Sequence, residues 1–331
     1  MPSLDHLQAA GNIAAVNFPA QHPVLVSLTP VVLLIALGFL AGRLHWIRDG
    51  AVRDLSNLVF LVLIPALLFR TMSTVRVEQL DPLPLLVYFS AALGLFFVLL
   101  AFQGLDRRSV AFALAGVFSN TVMIGIPLVE LAYGKAGLVT LLTLISVHAL
   151  VLLTVITIVF ELVVAREARA SGAAATSLWV TVGAAVKSTV IHPIPLPILC
   201  GLLYGQTGWG LPVVVDKPLQ LLANAFGPIA LLLVGVTMAR TRVAGLWRHT
   251  LWVTALKNLA LPACVAFSGW VWGLTGLPWT VMVVAAALPV GANVFLFAQR
   301  YQVAEDVVTA SVGVSTAMGL VTLSVVMWLV S

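Results

Sequence analysis

Ten separate stretches of the chain run apolar for about twenty residues each, and that recurrence limits what it can fold into. They fall at about 24–45, 52–72, 83–104, 109–133 and 138–163, and again at about 189–206, 219–239, 249–274, 279–299 and 307–330. A helix of twenty residues rises about 30 Å, the thickness of a bilayer's hydrocarbon core. Only 9% of residues are charged, against roughly 25% in soluble domains, so there is too little polar surface to cover a water-soluble core of this size. A membrane barrel would alternate polar and apolar residues, and these runs do not. The expected fold is an all-α polytopic membrane protein with ten transmembrane helices and lipid as its surrounding partner. Residues 1–22 form an N-terminal extension that lacks a basic start and carries Asp5, a poor signal peptide. Cys200 and Cys264 lie within apolar runs and read as packing residues.

Charge orients the spans. Twelve of the seventeen Lys and Arg residues fall in the odd-numbered gaps between spans, four in the even-numbered gaps, and Lys257 within a span. Positive loops stay in the cytoplasm. Both termini are therefore expected outside, as an even number of spans requires.

The two sets of five runs read as a repeat. "YGKAGLVTLLTLIS" from Tyr133 matches "YQVAEDVVTASVGVS" from Tyr301 with one insertion, and "IPALL" from Ile64 matches "GPIALL" from Gly227. The expected domains are a first five-helix repeat at 23–164, a cytoplasmic linker with an interfacial segment at 165–188, and a second repeat at 189–331. An odd number of spans per half inverts one half relative to the other, a plan of secondary transporters.

The fourth and ninth runs are interrupted. After about eleven helical residues the fourth meets "SNTVMIGIP", with Ser119, Asn120, Thr121, Gly125 and Pro127. The ninth meets "PVGAN", with Pro289, Val290, Gly291 and Asn293. Both breaks fall near mid-membrane. Open backbone is tolerated there only inside protein or beside a wet cavity. Two helices broken at one depth can cross. Each second half then begins with free N–H groups and a positive dipole end suited to an anion. The alternative is a pair of ordinary proline kinks.

"SNTVMIGIPLVE" and "ALPVGANVFLFAQRY" resemble the crossover segments of the auxin efflux carrier family, and "KNLALP" from Lys257 and "HPIPLPILCGLLYG" from His192 are similar to it too. The resemblance covers about residues 24–330. It implies two inverted five-helix repeats with crossing broken helices 4 and 9, a carboxylate substrate near the crossover, a scaffold bundle and a transporter bundle that move against each other, and a homodimer. By position, Asn120, Gly125 and Pro127 would belong to the first crossover, and Pro289, Gly291 and Asn293 to the second. The long cytoplasmic loop of many plant members is absent.

Three ionisable residues within spans are candidates for a coupling ion or countercharge. Lys257 either snorkels to the headgroups or serves as a countercharge at the site. His148 either carries a coupling proton or is a neutral ring bonded to a neighbouring helix. Glu130 either favours a helix dipole or carries a proton facing the outer vestibule. Asn57 and Asn224, on the second and seventh spans, are support-site candidates, and Asn258 is a candidate for a bond between helices. Pro65 and Pro228 read as kinks.

The sequence holds no nucleotide loop, paired metal motif or nucleophile constellation, so no enzyme, nucleic-acid partner or cofactor is expected beyond a proton or sodium ion for coupling. The expected function is secondary transport of a small mono- or dicarboxylate across a bacterial cytoplasmic (inner) membrane. A cation/proton antiporter is the alternative; its acids would be wanted deep in the fifth or tenth span.

Overall fold

The computed structural model describes residues 23–79, 81–170, 194–241, 245–291 and 293–330. Within them the helices are α1 (Pro23–Arg43), α2 (Asp49–Leu58), α3 (Ile64–Met72), α4 (Leu83–Gln103), α5 (Arg107–Val117) and α6 (Ile126–Ala170). There follow α7 (Pro195–Thr207), α8 (Val213–Arg240), α9 (Trp247–Ala255), α10 (Leu261–Trp272), α11 (Gly276–Ala287), α12 (Asn293–Arg300) and α13 (Glu305–Leu329).

Among the described residues, seven helical stretches are long and apolar enough to cross a membrane. This is fewer than the ten apolar runs, for local reasons. The sixth run is described only as the thirteen-residue α7. The ninth is split between α11 and α12. The second part of the fourth run and the whole of the fifth lie in α6, which is helical except at Gly134 (φ 59°, ψ −156°). α6 also runs past the expected end of the fifth span to Ala170, where an Arg107–Glu167 ion pair of 2.6 Å ties its end to the start of α5. The N-terminal extension and most of the expected interfacial segment lie outside the described residues.

Three helices open into a π-helical turn, at Val59–Leu63, Thr121–Gly125 and Leu256–Ala260. Each turn is followed at once by an aliphatic residue and proline: Ile64-Pro65, Ile126-Pro127 and Leu261-Pro262. Proline has no N–H for the carbonyl four residues back, and its ring crowds that turn. Widening the preceding turn relieves the crowding without ending the helix.

Packing follows the small residues. α1 lies along α8, where a Cβ on Gly38 would collide with the Leu232 carbonyl oxygen, and one on Gly235 with that of Ile35. α3 lies along α7, with Gly201 and Gly205 against the carbonyls of Phe69 and Val75. Backbones this close need glycine. α4, α5, α6 and α9–α13 pack among themselves as a second group. At the centre of that group residues 109–121 and 281–291 are buried without interruption. Their sequences, "SVAFALAGV" and "VMVVAAA", are apolar all round, as a helix enclosed on every side must be. Outer helices keep exposed apolar side chains such as Leu33, Phe97 and Phe267, and exposed tryptophans such as Trp46, Trp209, Trp247, Trp270 and Trp328 stand near helix ends. That is the pattern of an integral membrane protein, with lipid on the flanks and amphipathic rings at its interfaces.

Candidate functional site

The two interrupted spans meet at their interruptions. α5 stops at Val117 and Phe118 turns extended (φ −92°, ψ 107°). α11 stops at Ala287 and Leu288 turns extended (φ −58°, ψ 148°), as the residue before proline tends to do. Ser119 and Val290 then face each other in an isolated antiparallel bridge. The Asn120 N–H donates to the Pro289 carbonyl at 2.9 Å and the Gly291 N–H to the Phe118 carbonyl at 2.8 Å. Each break thus satisfies backbone groups of the other, which a low-dielectric interior demands.

The glycines fit this reciprocity. A Cβ on Gly125 would lie 2.7 Å from Leu288 Cδ1, and one on Gly291 2.8 Å from Phe118 Cδ1 and 3.1 Å from the Ser119 carbonyl oxygen. Each break carries a glycine where the other's bulk arrives. Two further N–H groups of the breaks are paired with side chains. Asn120 Oδ1 accepts from the Met123 N–H at 3.3 Å, and the Val290 N–H donates to Ser315 Oγ at 3.0 Å.

Ser119, Asn120, Thr121, Gly125, Pro127, Pro289, Val290 and Gly291 are all buried. Asn293 begins α12, so its backbone follows the second break. The structure therefore brings the expected site segments together.

Side chains from flanking helices hold the breaks. The Tyr88 hydroxyl of α4 shares a hydrogen bond with Ser119 Oγ at 2.9 Å and another with His148 Nε2 at 3.3 Å. The His148 ring packs on Tyr88 edge-on and lies 4.7 Å from the Phe118 ring. The His148 ring is thus hydrogen-bonded to a neighbouring helix. Lys257 does not snorkel: it is 0% exposed, and Nζ donates to the carbonyls of Ala286 at 2.5 Å and Leu288 at 2.6 Å. The orphaned carbonyls at the end of α11 offer nearer partners than any headgroup. Asn258 does bond across helices, to the Ser315 carbonyl at 2.9 Å.

Glu130 and Asn224 stand apart from the breaks. Both are exposed, and both line a cleft of about 320 Å³ between α3, α6 and α8, together with Arg70, Lys135 and Asp216. Arg70 bridges α3 to α8 through a two-point contact with Asp216, 2.7 and 3.2 Å. Asn57 is exposed on α2 and is not among the cleft's lining residues, so Asn57 and Asn224 do not form one site there.

Sequence reasoning passed over Tyr88 and Ser315 as site residues. A tyrosine in an apolar span has a hydroxyl that must find a partner, which was the available signal for Tyr88. Ser315 surfaced only as a repeat match.

Residues 23–327 match the family model described as a membrane transport protein. The chain is 25% identical over 304 residues to the "Putative malonate transporter" of Rhizobium meliloti, covering 90% of this chain and 92% of that one. It is 24% identical over 234 residues to auxin efflux carrier component 8 of Arabidopsis thaliana, 59% of this chain and 64% of that one. It is also 25% identical over 306 residues to the uncharacterized transporter YfdV of Escherichia coli K12, 89% and 94% of the two chains. With its model spanning nearly all the described helices and relatives that are transporters, the chain belongs to the membrane transport protein family, that of the auxin efflux carriers.

Proposed function

We propose that the protein is a secondary transporter of a small organic anion, a malonate-like or auxin-like carboxylate, working by alternating access in a bacterial inner membrane. The observation that carries this reading is the bonded pair of breaks, Asn120 N–H to Pro289 and Gly291 N–H to Phe118. Two helices that cross there leave α12 and the helix after Asn120 each starting inside the protein with its positive end toward the crossing. That is a place for a carboxylate. The Asn120 amide adds polarity without the cost of a buried charge.

Further support comes from how the halves interlock. α1 of the first half packs on α8 of the second, and α7 of the second packs on α3 of the first. A two-fold relation between inverted repeats at 23–164 and 189–331 exchanges those two pairs. The four helices would form the scaffold of a homodimer, and the group around the breaks would move against it. The cleft beside Glu130, Lys135 and Asn224 lies where scaffold and moving group adjoin, so it supports an access path.

Export of an anion runs with the membrane potential, whereas uptake needs a co-transported cation. The deciding experiment is counterflow in proteoliposomes with radiolabelled malonate and with an indole-type acid. Exchange above empty liposomes is expected for one of them. Exchange of a cation with no carboxylate exchange would overturn the reading in favour of an antiporter.

A further inference from the structure

The last turn of α11 is a set of carbonyls that have lost their usual donors. In a continuous helix the Ala285 carbonyl would accept from residue 289, Ala286 from 290 and Ala287 from 291. Pro289 has no N–H, the Val290 N–H goes to Ser315, and the Gly291 N–H goes to Phe118. The negative end of the half-helix dipole is thereby left open in the protein's interior. In carriers built on broken helices, unwound carbonyls and half-helix C-terminal ends are where a coupling sodium ion or proton is held.

Here that place is filled by a side chain. Lys257 Nζ lies 2.5 Å from the Ala286 oxygen and 2.6 Å from the Leu288 oxygen, with no exposed surface. These are short contacts of the charge-assisted kind. The π-helical turn at Leu256–Ala260 turns both Lys257 and its neighbour Asn258 into the interior, toward α11 and α13 respectively. We propose that Lys257 is a tethered cation in the coupling-ion position of the second break, so that the carrier needs no sodium ion there. The inference rests on the transporter reading, and it deepens that reading by naming how the second break is charged. A fixed cation beside the carbonyl end also makes the crossing more favourable for an anion.

The test uses the full chain, purified and reconstituted. For the natural sequence, the melting midpoint and malonate counterflow should be the same in sodium, potassium and choline chloride at equal ionic strength. Lys257→Ala empties the position. Its midpoint in choline should fall by about 5 °C, from the loss of two charge-assisted hydrogen bonds in a protein of this size. Sodium or methylammonium should restore it, and counterflow should become dependent on those cations. Lys257→Met fills the space without charge, so it should be destabilised and not rescued. A cap with a purely structural role would give the loss without the rescue by small cations. Sodium-specific stabilisation of the natural protein would overturn the proposal. So would Lys257→Ala that is indifferent to small cations, or Lys257→Met that is as stable and active in choline as the natural protein. If Lys257→Ala does not fold, restoration of its folded yield by methylammonium during purification supports the proposal, and its absence counts against it. If malonate is exchanged in no cation, the carboxylate reading fails, while the melting series still decides on Lys257.

Discussion

The first break and the second are mates in one bonded unit, yet they are held by different chemistry. At the first, a chain of Ser119, Tyr88 and His148 fixes the backbone from α4 and α6. At the second, the side-chain nitrogen of Lys257 and the hydroxyl of Ser315 take the loose groups from α9–α10 and α13. The difference tracks what each break leaves unpaired. The first lies next to a side-chain cap, Asn120 Oδ1 on the Met123 N–H, which supplies an acceptor where donors are free. The second follows a proline, which removes a donor and leaves carbonyls in excess. An acceptor surplus buried in protein calls for a strong donor, and lysine has three N–H groups and no acceptor.

This contrast can be broken most forcefully at Gly291. Gly291→Ala drives a methyl against the Phe118 ring and the Ser119 carbonyl. Because one of those contacts is backbone, the bridge between the breaks has to shift as well as the ring. A loss of about 3 kcal/mol in stability is expected, with transport nearly abolished. Thermal melting beside counterflow reads both. Tyr88→Phe tests the first break alone. It leaves the Ser119 hydroxyl and His148 Nε2 buried without that partner, and should cost about 2 kcal/mol. A variant as stable as the natural protein would remove the tyrosine from the set that holds the break. Gly125→Ala should be milder, about 1 kcal/mol, because the atom it meets is the end of a leucine side chain that can rotate. If Gly125→Ala proves worse than Gly291→Ala, the two glycines have been ranked by the wrong contact. Smallest of all should be Asp216→Asn in the cleft, whose ion pair with Arg70 is about 30% exposed on either side. Little or no shift of the midpoint is expected in the same melting series, because solvent screens an exposed pair.

The breaks were legible because proline and glycine act locally. The spacing puts the end of the first half-helix near residue 119 and of the second near 288, and the helices stop at Val117 and Ala287. The pairing of the breaks could be inferred from equal depth, without naming which atoms bond. What could not be read was direction. Lys257 in an apolar run has two outlets, a headgroup or an interior acceptor, and the choice depends on carbonyls about thirty residues away in sequence. Tyr88 was hidden for the same reason, since its partners Ser119 and His148 come from other helices. Asn57 and Asn224 lie on the second and seventh apolar runs, but only Asn224 reaches the cleft, because a like place in the sequence pattern does not put two residues in one pocket.

The widened turns before Pro65, Pro127 and Pro262 amount to one surplus residue wound into each helix. Every residue past such a turn is rotated by roughly 100° from where a regular helix would have set it. Deleting a single residue within 256–260 would therefore do more than shorten the helix: it would re-phase one part of the rod against the other. Lys257 and Asn258 could no longer both keep their present bearings on α11 and α13.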